Sequence, residues 1–234
     1  LEFRRVLFRS AAVAPGAGTP NMTVEFRVGG TVVCAGAVLS SGQATCAITA
    51  PTVGASPYTI TATYGGSNDF TTSTTTATLI VDRAATTTVV TPASATVVYG
   101  EKQWFDAAVS VNAPGAGDVS GGTVDFSAGS TWLCTGILDA TGHTSCLVDL
   151  HASGSAYTIT ASYRGTTDFE PSSAASSLTV TRAATTTALD WTTATVVFGQ
   201  TKRLFATATI DAPGSGSLVG GIVDFSSGST PIAA

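Results

Sequence analysis

Four cysteines are the residues best placed to do chemistry. They come as two pairs, Cys34 with Cys46 and Cys134 with Cys146, each enclosing eleven residues. A zinc site asks for tighter Cys-x-x-Cys spacing or added histidines, and neither accompanies both pairs. The remaining readings are a disulfide and two free core thiols, of which the disulfide is the leading expectation. The first pair is centred on Ser40, in Ser40-Ser41-Gly42, and the second on Ala140, in Asp139-Ala140-Thr141-Gly142. Glycine adopts positive φ and aspartate bonds the local backbone, so both midpoints read as turns. Each pair is therefore expected to face itself across an antiparallel hairpin. Opposed Cα atoms there lie about 4.5–5.5 Å apart, within reach of a disulfide. Such a bond staples one hairpin and contributes about 2–3 kcal/mol by closing a short loop. It also implies an oxidising compartment.

The other candidates carry less. His143 and His151 are the only histidines; their counterparts one repeat earlier are Gln43 and Pro51, so no histidine site recurs. Both read as exposed loop residues without a nucleophile partner. Asp69-Phe70 recurs as Asp168-Phe169. The expectation is that each Phe plugs the end of a module while each Asp caps the turn. A calcium site would need about six to eight oxygens. Asp82 at the first junction is replaced by Thr181 at the second, so that ligand set does not repeat. Trp104, Trp132 and Trp191 offer faces for a sugar, but Trp104 aligns with Arg203, and Trp132 with Val32 and Pro231. The run Thr71-Thr72-Ser73-Thr74-Thr75-Thr76 reads as exposed surface open to O-glycans, and Asn21-Met22-Thr23 fits an N-glycosylation pattern. No catalytic residue, metal ligand or cofactor-binding residue is expected, and hence no cofactor.

The elements that position the cysteines come from a repeat. Arg83-Ala84-Ala85-Thr86-Thr87-Thr88 returns as Arg182-Ala183-Ala184-Thr185-Thr186-Thr187, and Tyr58-Thr59-Ile60-Thr61-Ala62-Thr63-Tyr64 as Tyr157-Thr158-Ile159-Thr160-Ala161-Ser162-Tyr163. Pro15-Gly16-Ala17-Gly18 returns at Pro114 and Pro213. A period of about 99 residues means one module copied in tandem.

Within the middle copy, period-2 alternation marks strands. Thr86–Thr91 is the first, and Ala95–Tyr99 continues it after Pro92. Phe105, Ala107, Val109 and Val111 share a face, and the third copy repeats that face as Leu204, Ala206, Ala208 and Ile210. Pro114-Gly115-Ala116-Gly117 begins a flexible connection. Val124 and Phe126 point inward, as do Tyr157, Ile159, Ala161 and Tyr163, then Leu178 and Val180. About seven or eight strands in about 100 residues describe an all-β fold: tandem immunoglobulin-like β-sandwiches, one complete and two truncated.

Composition agrees. Charged residues are 11% of the chain, glycines number 25, and strong helix formers other than Ala are scarce. The net charge of −5 includes no basic patch, which excludes electrostatic support for nucleic-acid binding. No apolar run approaches the ~18 residues of a membrane span.

Leu1–Ser10 matches no part of the repeat and resembles a translated sequencing-library adapter; Val6-Leu7-Phe8, interrupted by Arg9, is too short for a signal-peptide core. It is expected to be an assembly artefact. Without its net +2 the remainder carries −7. The expected organisation is then residues 11–83, a module lacking its first strands; 84–182, a complete module; and 183–234, a module lacking its last strands. The whole reads as a fragment of a longer array.

The Gly-Gly-Thr-Val-Asp-Phe strand at Gly121, the paired cysteines, the Tyr157 strand, the Thr167-Asp168-Phe169 loop and the Arg182 junction together resemble the bacterial Ig-like repeat domains of surface and secreted proteins. That resemblance implies export to the extracellular medium or the cell surface, tandem display and no fixed active site. The partners implied are neighbouring Ig-like modules in the same chain. The leading expectation is a non-catalytic extracellular spacer. The alternatives are an adhesin-type module for a host protein or glycan at the cell surface, and an accessory region of a secreted enzyme.

Overall fold

Alternation of small apolar and polar side chains decides the elements, because a strand with one buried face hides every second residue. In Thr123–Ala128 the buried residues are Val124, Phe126 and Ala128; in Tyr157–Tyr163 they are Ile159, Ala161 and Tyr163. The structure, a computed structural model, describes residues 20–232 and the backbone of residues 6–9. In chain order the first strands are β1 (Val6–Arg9), β2 (Thr23–Val28), β3 (Thr31–Val38), β4 (Gln43–Cys46), β5 (Tyr58–Tyr64) and β6 (Ser73–Leu79). The middle copy supplies β7 (Thr86–Thr91), β8 (Ser94–Val98), β9 (Gln103–Val111), β10 (Thr123–Ala128), β11 (Thr131–Ile137), β12 (His143–Val148), β13 (Tyr157–Tyr163) and β14 (Ser172–Thr181). The third copy supplies β15 (Thr185–Leu189), β16 (Ala206–Ile210), β17 (Ser226–Ser227) and β18 (Thr230–Pro231).

The middle copy forms two sheets, ordered β11-β10-β13-β14-β8 and β12-β9-β7. Between them lie Phe105, Ala107, Val124, Phe126, Cys146, Ile159, Tyr163 and Leu178, all buried. Each fully buried large side chain contributes about 1.5–3 kcal/mol. This is an all-β, Ig-like sandwich, and the modules stand in tandem.

Two expected pairings are corrected. β8 does not continue β7: it crosses to the other sheet and runs parallel to β14, with Leu178 opposite Ala95 and Val180 opposite Val97. β11 and β12 do not form a hairpin: β11 pairs with β10, and β12 pairs with β9 in the opposite sheet. The chain arches from one sheet to the other at the Asp139 turn. Midpoint symmetry is the same for an arch as for a hairpin, so spacing alone does not separate them.

The first copy builds the sheet β3-β2-β5-β6 and the pair β1-β4. Val24, Phe26, Leu39, Ala44, Cys46, Ala62 and Tyr64 form its core, with Phe70 packed against it. The adapter-like segment contributes β1, with Val6 opposite Cys46 and Arg9 opposite Gln43. That is the position β9 takes against β12, where Phe105 lies opposite Cys146. The rest of Leu1–Ser10, the alignment of Ala11 with Ser110, the Pro15–Gly18 loop, and Ala233 at the Cys134 position lie outside the described residues.

In the third copy β15 pairs with β16, and β17 with β18. Leu204, Ala206, Ala208 and Ile210 do share a face, but they are only half-buried, and Phe198, Val219 and Ile222 are almost wholly exposed. Two compact units result. One takes Leu1–Thr87, Ser110–Val119 and Arg164–Ser172; the other takes Thr88–Val109, Ser120–Tyr163 and Ser173–Ala234.

Candidate functional site

Cys34 lies on β3, where it sits opposite Phe26 of β2; Cys46 lies on β4. The two are disulfide-bonded with Cα atoms 6.2 Å apart. Cys134 on β11 and Cys146 on β12 are bonded likewise, at 6.3 Å. Because the partners belong to different sheets, each bond ties the two layers of its sandwich together. The expected staple of a single hairpin is thereby corrected. Cys46 and Cys146 are buried, while Cys34 and Cys134 are half-buried. Beside the second bond, a Cβ at Gly136 would overlap the Thr144 hydroxyl, so glycine lets β11 come close to β12 at the arch.

The turn under that bond is built by Asp139. Its Oδ1 accepts from the Thr141 N–H at 2.8 Å, the Thr141 hydroxyl at 2.7 Å and the His143 N–H at 3.0 Å. These bonds, the His143 N–H foremost and then the Thr141 hydroxyl and N–H, hold the Asp139 carboxyl below its usual range. The first copy uses a shorter turn, Ser40 to Gln43, paired through both backbone bonds. It compensates with an extra register shift between Val24 and Phe26, and the cysteines stay twelve positions apart in both copies.

The histidines do not converge on a nucleophile. His143 opens β12 opposite Ala108 and is exposed. His151 is exposed, with its ring 5.5 Å from that of Tyr99. Among the described residues no three His, Cys, Asp or Glu side chains are grouped as metal ligands. Trp104 is 54% exposed on β9 and Trp132 65% exposed on β11, so the two stand on different sheets and form no common platform. Trp191 is half-buried, with the Lys202 ammonium 5.6 Å from its ring.

The expected Asp caps are also corrected. The Ser67 hydroxyl accepts from the Asp69 and Phe70 N–H groups, and the Thr166 hydroxyl accepts from the Asp168 N–H. A hydroxyl two residues before the aspartate serves the turn in place of the carboxylate. Within the first unit, Asp168 instead accepts from the Val53 N–H at 2.7 Å. The Phe expectation fares better. Phe70 packs on the first core, and Phe169 lies so close to Gly117 that a Cβ there would come within 2.7 Å of its ring.

One recurring feature lies beyond the expected core role of the Tyr strand. The Tyr58 hydroxyl donates to the Thr52 carbonyl at 2.6 Å, and the Tyr157 hydroxyl to the His151 carbonyl at 3.0 Å. A tyrosine at the start of this strand that reaches back to the preceding corner is a feature of immunoglobulin-type sandwiches. Its repetition at Tyr58 and Tyr157 was the available signal.

The bacterial Ig-like domain (group 3) family matches residues 5–82 and again residues 90–181. No curated protein matches the chain. Among solved structures, the chain is similar to the Clostridium thermocellum CbhA fibronectin(III)-like modules, at 17% identity over 71% of this chain and 82% of that one, with a TM-score of 0.34. It is similar to titin domains z1z2 in complex with telethonin at 20% identity, over 72% and 85%, with a TM-score of 0.39. For the N-terminal four Ig domains of Dscam1 isoform 8.4 the values are 14% identity, 76% and 41%, and 0.35.

Proposed function

Because the chain belongs to the bacterial Ig-like domain (group 3) family, we propose that it is a non-catalytic structural spacer of a bacterial surface or secreted protein. The observation that carries this reading is the junction between the middle and third copies. β14 ends at Thr181 and β15 begins at Thr185, leaving only Arg182, Ala183 and Ala184 between strands. Three residues span at most about 11 Å, which restricts the freedom of one module against the next. The sheet-to-sheet disulfides support an extracytoplasmic location, and we place the protein at the cell surface or in the medium. The proposed division is into modules at 11–83, 84–182 and 183–234, with residues 1–10 an assembly artefact.

A spacer acts through length and stiffness, whereas a binding module acts through its own surface. Replacing the modules in the parent protein by the same number of unrelated Ig-like modules is therefore expected to preserve function. Deleting them is expected to abolish it. Loss of function in the exchange, with the replacement folded and exported, would contradict the spacer reading and favour an adhesin-type module.

A further inference from the structure

Two loops of the same build serve different ends. Ser67–Phe70 and Thr166–Phe169 each follow a glycine at positive φ, Gly66 at 83° and Gly165 at 74°. Each closes on its phenylalanine carbonyl, which accepts from Ser67 N–H at 2.8 Å and from Thr166 N–H at 3.0 Å. Asp69 is exposed, and its carboxylate has no hydrogen-bond partner among the described residues. Asp168 is half-buried, and its carboxylate accepts from Val53 N–H, 115 positions away in the first copy.

The corner that Asp168 meets is held in shape by its own copy. The Tyr58 hydroxyl holds the Thr52 carbonyl, and Val81 N–H donates to the Ser56 hydroxyl at 2.9 Å. Between these anchors Val53 N–H meets the carboxylate. Gly54 lies against Thr167, where a Cβ would stand 3.3 Å from the threonine methyl. A corner already shaped loses less entropy when it is bound.

The same loop takes the chain as it leaves the first copy. Ala84 N–H donates to the Asp168 carbonyl and Glu170 N–H to the Ala84 carbonyl, both at 2.9 Å. One loop thus grips the corner by a side chain and the departing chain by its backbone. A single attachment is a pivot; a second removes that freedom. A carboxylate acceptor makes the second a strong bond. All of these residues lie in the first compact unit.

We propose that Thr166–Glu170 is a docking surface for the Thr52–Ser56 corner of the module before it in the chain, with Asp168 as the residue that recognises that corner. Asp168 reads a main-chain N–H, and Thr167 asks for a small residue beside it, so recognition follows the shape of the corner more than its side chains. The middle copy holds its own corner in the same way, through Tyr157 and the His151 carbonyl. Counted back from the tyrosine, Ala152 and small Ser153 stand where Val53 and Gly54 do. The partner this surface fits is the tyrosine-held corner of an Ig-like module. The inference does not rest on the spacer reading, which the module exchange tests separately.

Amide hydrogen exchange, followed by NMR on the whole oxidised chain, tests it. Val53 N–H is expected to be protected in the wild type. Asp168→Ala is expected to speed its exchange by about tenfold or more, as for a lost hydrogen bond to a charged group. Asp168→Asn keeps an acceptor oxygen and retains most of the protection. Asp69→Ala, in the loop of the same build, leaves Val53 unchanged. Gly54→Leu presses on Thr167 from the opposite side of the contact. It also speeds Val53 exchange, and adding it to Asp168→Ala has little further effect, because both break one contact. Unchanged exchange in β2, β5, β10 and β13 verifies that each variant is folded. An unprotected Val53 N–H in the wild type, an Asp168→Ala variant that exchanges as the wild type does, or fully additive effects of the Asp168 and Gly54 substitutions would each overturn the proposal.

Discussion

Phe126→Ala lowers the stability of the middle copy by about 3–5 kcal/mol, the range for deleting a fully buried aromatic ring. Phe126 is 0% exposed. It sits on β10 between Cys134 of β11 and Ala161 of β13, on an interior strand of the larger sheet. Truncation removes the ring's burial and leaves a cavity that close-packed neighbours on both sides cannot fill. Ile137→Ala is the matched control. Ile137 is as apolar but 70% exposed at the end of β11, and its loss is worth within about 0.5 kcal/mol. Native-state hydrogen exchange of peptides from β10 and β13 reads both variants. Equal effects from the two would mean that the sandwich core is not where the alternation puts it.

Removing the Cys134–Cys146 bond by a double Cys→Ala substitution costs about 2–3 kcal/mol in the chain-entropy account of so short a loop. For a module of this size that corresponds to a fall in Tm of about 10–20 °C. Differential scanning calorimetry with and without reductant measures the same quantity on the wild type. Cys134→Ala alone is expected to do at least as much harm, since it breaks the tie and leaves a lone thiol at buried Cys146. A module whose melting is indifferent to reductant would show that its layers are held by packing alone.

How much of this was legible in the residues depends on what a one-dimensional pattern encodes. Alternation states which face a side chain takes, and Val124, Phe126, Ile159, Leu178 and Val180 all took the face that it assigned. It does not state which strand is the neighbour. β8 and β12 were therefore placed with their sequence neighbours, while the fold sends each to the opposite sheet. The turn at Asp139 was readable because a short acceptor beside Gly142 has few other uses. The turns at Asp69 and Asp168 were misread because Ser67 and Thr166 offer hydroxyls that compete for the same N–H groups. The absence of a recurring histidine or tryptophan was plain from the repeat itself: a residue that one copy replaces with Gln43, Pro51 or Arg203 cannot be a site that every module carries.

Limited trypsin digestion of the dilute, oxidised chain tests the central claim most directly, namely that the repeated unit is a self-contained Ig-like sandwich. Arg83 and Arg182 flank the middle copy, Lys102 and Arg164 lie inside it, and Lys202 and Arg203 lie in the third copy, where none of the described residues beyond Val180 is buried. Cleavage requires local opening, so it follows the burial and hydrogen bonding of the backbone around each site. The account predicts early cuts after Lys202, Arg203, Arg182 and Arg83, and a persistent piece of residues 84–182 that keeps its disulfide. Cuts after Lys102 and Arg164 as fast as those after Lys202 and Arg203 would contradict it.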